Sequence, residues 1–137
     1  RSDMGGLMND YIDPEMQDLI HEQEKKSGLN VTVLEKGTKL TVETNNSIYQ
    51  IVVVDGRQIT LMGGMTIKGD IRFPKPITVM FVGSTWGGSM IKPDWIGQDM
   101  GMEIIIDSDS VLHTSFVKNI EIESPSGKWS YSMDWNK

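Results

Sequence analysis

A glycine- and tryptophan-rich segment at residues 83–90 carries the side chains best suited to binding. Three glycines and three hydroxyl side chains occupy six of the seven positions from 83 to 89. Glycines leave backbone amides accessible, and successive amides outside a ladder can form a concave site for phosphate or carboxylate. Lys92 adds a positive charge, and Trp86 and Trp95 offer rings for stacking. The segment predicts a site for a small anionic ligand or a partner protein, formed by Ser84, Thr85, Trp86, Gly87, Gly88, Ser89, Lys92 and Trp95.

A structural interpretation of the same segment stays open. Glycines within strands often mark bulges or corners, and both tryptophans could then fill the core. Residues 83–101 contain little regular pattern, which favours a functional loop because compact domains rarely keep long irregular segments. Alternatively, residues 89–92 and 95–96 form a short hairpin that turns at Pro93-Asp94. The order of residues in a Walker loop is absent.

His113 is the candidate general base of a hydrolase-like enzyme. Asp107 or Asp109 would orient its ring, and a hydroxyl such as that of Ser115 would be the nucleophile. No nucleophile-elbow motif supports this arrangement, and a lone histidine at a strand end is more often structural. Asp107-Ser108-Asp109 lacks the glycine and glutamate of a calcium loop, so it predicts an ordinary turn and no metal site.

Composition narrows the functional classes. The 137 residues include no cysteine, which excludes disulfides and zinc–thiolate sites. A net charge of −6 disfavours nucleic acid as a partner. No apolar run is long enough to cross a bilayer, so we expect a soluble, cytoplasmic chain. No motif in the sequence indicates a cofactor, and we expect none. Several of the ten methionines cluster in sequence and could line an adaptable apolar surface or fill core gaps.

The elements that position these residues are predicted to be mostly strands. From residue 30 onward apolar side chains recur with period two between turn residues, which indicates about nine short strands in an antiparallel barrel or two-sheet sandwich. Before them, Asp13-Pro14-Glu15 starts an amphipathic helix over 14–27, which Gly28 would end in a left-handed conformation. Residues 12–137 form a single domain, after a disordered tail over 1–11 that includes an apparent expression remnant.

Several turns are specific enough to predict individual strands. Asn45-Asn46 joins two strands of a hairpin, and Asp55-Gly56 extends it to a three-strand meander. Residues 48–54 are apolar on both faces, so this strand is expected to be covered on each side. Pro74 and Pro76 are expected to end any ladder they enter.

The leading functional hypothesis is a non-enzymatic binding module that presents the segment over 83–101. One alternative is the hydrolase-like enzyme with His113 as base, and another is a structural or assembly protein, such as a phage or oligomer component. A homo-oligomer is compatible with the binding and the assembly hypotheses.

Overall fold

The computed structural model describes Asp18 and residues 27–66, 68–87 and 90–135. These residues form ten strands and one 3-10 turn, Val31–Val33, and all strand pairs are antiparallel. The predicted mostly β, antiparallel architecture is therefore confirmed. The strands are β1 (Gly28–Asn30), β2 (Lys39–Thr44), β3 (Ile48–Asp55), β4 (Gln58–Met65), β5 (Ile71–Thr85), β6 (Lys92–Pro93), β7 (Trp95–Gly97), β8 (Gly101–Asp107), β9 (Ser110–Glu123) and β10 (Ser130–Asp134).

Six of the strands close into a ring. Strands β2 to β5 form a meander, β8 pairs with both β5 and β9, and β9 pairs back with β2. The predicted turns make the meander: Asn45-Asn46 joins β2 to β3, and Gly56 takes a φ of 59° between β3 and β4. Strand β10 extends the sheet from β9, while β1 and β7 pair as a separate ribbon.

The core lies inside this ring. Inward-facing side chains alternate with outward-facing ones along each strand, so that β4 buries Ile59 and Leu61 completely. The β1–β7 ribbon contributes Leu29 and Ile96, which are also inaccessible to solvent. Each such side chain contributes about 1.5–3 kcal/mol by leaving water. The outward-facing side chains of the ring therefore lie on strands that the buried core stabilises.

Strand β5 runs through both prolines, contrary to the expectation that they would end the ladder. The amide of Phe81 donates to Arg57 O at 2.8 Å, so alternate amides of β5 face β4. Pro76 occupies a position whose amide would face the other edge, with which no described strand pairs before Met80. The amide that Pro76 lacks would have no strand partner there, so its absence removes no hydrogen bond from the ladder. Pro74 lies in a bulge, where the register between β4 and β5 shifts.

The predicted helix is not confirmed. Apart from Asp18 and Ser27, the range 14–27 lies outside the described residues, as does the expected tail over 1–11. The left-handed conformation predicted for Gly28 is found one residue earlier, at Ser27, which has a φ of 64°. Gly28 is the first residue of β1. Within the described part of the chain, no helix has the length and apolar character needed to cross a membrane.

Candidate functional site

The glycine- and tryptophan-rich segment is more regular than predicted. Strand β5 extends to Thr85, and β6 and β7 follow, so the expectation of little regular structure over 83–101 is wrong. The hairpin alternative is wrong as well, because β6 pairs with β5 and β7 pairs with β1. Gly88 and Ser89 of the predicted site lie outside the described residues.

Two residues of the predicted site are buried and have structural partners. Ser84 is inaccessible to solvent and donates a hydrogen bond to the carbonyl of Trp95. A Cβ at Gly28 would lie only 2.4 Å from the Trp95 ring, and one at Gly97 only 2.8 Å away, so the ring packs on both glycines. The Lys92 ammonium lies 3.9 Å from the centroid of the same ring. Trp95 therefore stabilises the β1–β7 ribbon.

The remaining described residues of the segment are more accessible. Trp86 is 67 % exposed and Gly87 takes a φ of 104° beside it. The Gly87 amide donates to Thr85 Oγ1 at 3.1 Å, so it is already engaged within the chain. Trp86 and Lys92 are exposed members of the predicted site, and we call the surface around the Trp86 ring the exposed tip.

An ion pair that sequence reasoning missed holds this segment in place. Asp94 has a φ of 63°, and its two carboxylate oxygens accept from Arg57 Nε and Nη2 at 2.5 and 3.2 Å. Its backbone amide donates to Val82 O, and its carbonyl accepts from Val31 N. Asp94 thus joins β5, β7 and the chain after β1 at one point. The sequence carries no signal for this pairing because its partners are far apart along the chain.

The residues of the proposed hydrolase have other partners. His113 lies opposite Glu103 in the β8–β9 pair, with Nδ1 3.3 Å from Glu103 Oε1. Ser115 Oγ donates to Thr44 Oγ1 at 2.8 Å. The sequence predicted that Asp107 or Asp109 would contact His113, whereas the carboxylate beside it belongs to Glu103. Glu103 is the residue that sequence reasoning missed.

The two aspartates of that proposal form the predicted ordinary turn. Asp107 Oδ1 accepts from the Asp109 amide at 2.8 Å, between β8 and β9. Within the described residues, neither aspartate forms a hydrogen bond or ion pair with His113. Within the described part, no cluster of three or more histidines and carboxylates could hold a metal ion.

A groove of about 610 Å³ lies on the outer face of the ring, between the β2–β3 and β4–β5 turns. Three of its large aliphatic side chains are more than half exposed: Ile48 by 54 %, Met65 by 53 % and Ile71 by 64 %. The expectation that β3 is covered on both faces is therefore wrong for the described residues. The groove is lined by Glu43, Thr44, Asn45, Asn46, Ser47, Ile48, Gln50, Met62, Gly63, Gly64, Met65, Ile71 and Pro74.

Two glycines form the floor of the groove. A Cβ at Gly63 would lie 2.4 Å from Ile48 O, and one at Gly64 would lie 2.7 Å from the Tyr49 ring. Both glycines also have positive φ, at 101° and 77°, which side chains rarely adopt. The two positions therefore let β4 lie close to β3, with Tyr49 directed inward and Ile48 outward.

A hydroxyl network fixes the polar wall of the groove, which is the turn from Thr44 to Ser47. Ser115 Oγ accepts from the Asn46 amide at 3.1 Å and donates to Thr44 Oγ1. Thr44 Oγ1 in turn accepts from the Ser47 amide at 3.1 Å. These bonds attach the turn to β9, so the wall is held by two parts of the ring.

No family model, curated protein or solved structure matches the chain. Two surfaces of the described residues are shaped to contact a ligand or partner: the groove and the exposed tip at Trp86.

Proposed function

We propose that this chain is a non-enzymatic binding module whose groove receives an apolar segment of a partner protein. The observation that carries the proposal is the exposure of Ile48, Met65 and Ile71 along one groove. Contiguous exposed apolar surface is uncommon on proteins that function alone and often marks an interaction site. Covering a half-exposed side chain of this size contributes roughly 1 kcal/mol, because about 25 cal/mol is gained per Å² of apolar surface.

The shape and the chemistry of the groove favour a protein segment over a reacting substrate. The groove is an open depression of the outer face, which suits anchor side chains of an extended chain whose other side stays in water. Among the described residues that line the groove, Glu43 is the single ionisable side chain. General acid–base catalysis usually needs at least two positioned groups, so the groove is better suited to binding.

Selection from a displayed library of random peptides tests this proposal. We expect the chain to enrich peptides rich in aliphatic residues, and amide chemical shifts of residues 43–50 and 62–71 to change when those peptides are added. The double variant Ile48→Ser, Ile71→Ser should lose at least tenfold in affinity. Val54→Ser is the matched control, since Val54 is exposed on the same strand but outside the groove. Shift changes confined to other surfaces would overturn the proposal.

The exposed tip at Trp86 supports a second candidate, a site for a small anionic ligand. Its indole is the most exposed aromatic ring among the described residues, and Lys92 supplies a positive charge in the same segment. Titration with inorganic phosphate and with acetate, followed by tryptophan fluorescence, tests it. A saturable change that Trp86→Phe abolishes supports this site, and an unchanged signal up to millimolar anion contradicts it.

Assembly into a homo-oligomer remains the third candidate. Met80, Ile105 and Val111 lie side by side in register across β5, β8 and β9, and each is at least 39 % exposed. Light scattering over a range of concentrations tests it. A mass that rises with concentration in the wild type, and not in Ile105→Lys, supports assembly through this row.

A further inference from the structure

We infer that the partner segment carries a lysine or arginine next to the aliphatic residue that contacts Ile48. The inference rests on the proposed function, since it names the chemistry of the segment that the groove receives. It follows from the position of one carboxylate, that of Glu43.

Glu43 places one negative charge in the described lining of the groove. It is exposed, and the other twelve described lining residues are neutral. Its Oε1 accepts from Asn119 Nδ2 at 2.8 Å, which orients the carboxylate from the neighbouring strand. A carboxylate held in this way attracts a cationic side chain and disfavours an anionic one.

Glu43 also lies directly beside an apolar anchor. It is paired with Ile48 in the β2–β3 register. Side chains at such opposite positions have Cβ atoms about 5 Å apart. Successive residues of an extended chain advance about 3.3 Å each, so a residue that contacts Glu43 is one or two positions from the residue that contacts Ile48. The groove therefore recognises a basic residue and an aliphatic residue as a pair.

The net charge of the whole chain, −6, acts in the same direction at long range. A negative surface accelerates the approach of a basic segment and repels acidic ones. Complementary charge of this kind contributes more to specificity than to affinity.

Parallel peptide selections on three proteins test the inference. The wild type should enrich lysine or arginine within two positions of an aliphatic residue. Glu43→Gln keeps an oxygen that can accept from Asn119 and should lose this enrichment while still selecting aliphatic residues. Glu43→Lys should enrich aspartate or glutamate instead. Glu121→Gln is the matched control, because it removes the same charge outside the groove.

Binding of a selected basic peptide should weaken about two- to fivefold in Glu43→Gln, because an exposed ion pair contributes up to about 1 kcal/mol and 1.4 kcal/mol is tenfold. The loss should disappear at high salt. Peptides that bind in the groove without any basic preference would overturn this inference and leave the proposed function standing. Peptides that bind only elsewhere would overturn the proposed function itself.

Discussion

Trp86 and Trp95 belong to the same predicted binding segment but have opposite environments. The first is 67 % exposed, whereas the second is 7 % exposed and packs on Gly28 and Gly97. At the scale of single residues, exposure separates the side chain available to a ligand from the one that holds the fold. Residue type alone cannot make this distinction, because both environments suit an indole.

Alanine substitution should separate the two tryptophans. Trp95→Ala removes a buried ring and should lower the free energy of unfolding by about 3–5 kcal/mol. Trp86→Ala should change it by less than about 0.5 kcal/mol, as is usual for an exposed position without partners in the core. Urea unfolding followed by circular dichroism measures both values. A large loss in Trp86→Ala would show that the tip is structural.

Ionisation of Tyr49 should make the free energy of unfolding depend on pH in the alkaline range. Burial raises the pKa of its phenol above the ordinary value of 10.0, and a hydrogen bond with Ser47 and the charge of Arg72 oppose this shift less strongly. The folded state therefore retains the proton that the unfolded state loses. This contribution is complete below pH 10 and is lost as the pH rises from there through the folded-state pKa.

The variant Tyr49→Phe isolates this effect from other titrating groups. Its free energy of unfolding should fall less than that of the wild type between pH 9 and pH 11, in urea titrations at each pH. Parallel curves for the two proteins over this range would contradict the assignment.

At the scale of elements, the β2–β3 turn depends on β9 as well as on its own residues. Ser115 lies on β9, and its hydroxyl bonds both the Asn46 amide and the Thr44 hydroxyl. The turn type was predictable from Asn45-Asn46, but its attachment to a strand about seventy residues away was not. The same limit applies to Pro76, whose position in β5 depends on which edge of the strand has a partner.

Replacing Ser115 with alanine should loosen the polar wall of the groove. The loss of both hydrogen bonds should cost about 1–2 kcal/mol of stability. Hydrogen exchange of the Asn46 amide should accelerate, and peptides selected by the groove should bind more weakly. Ser132→Ala is the control, because Ser132 is an exposed serine on β10. Equal exchange at Asn46 in the wild type and in Ser115→Ala would contradict the role of the network.

At the scale of the whole molecule, closure of the ring joins distant parts of the chain. Thr41 of β2 pairs with Glu121 of β9, and Leu40 pairs with Ile122 beside it. Contacts of this sequence separation require a large loop to close before they stabilise anything. The ring should therefore form late and as one unit.

Folding kinetics test this expectation. A β ring that closes through the distant β2–β9 pair should refold in milliseconds to seconds, with one exponential phase. Equilibrium unfolding should show the same midpoint by tryptophan fluorescence and by far-ultraviolet circular dichroism, because one core serves all six ring strands. Two separate transitions would show that the ring and the β1–β7 ribbon unfold independently.

Local chemistry in the sequence determined the mostly β architecture, the meander from β2 to β4 and the turn at Asp107-Ser108-Asp109. Period-two alternation and turn residues act over a few positions, so they can be read without knowing the neighbours of a strand. Tertiary structure decided that Ile48 is exposed, that Ser84 and Trp95 are buried, and that His113 lies beside Glu103. Burial and partners at these positions depend on which distant strand lies alongside, and each strand finds that neighbour only when the ring closes.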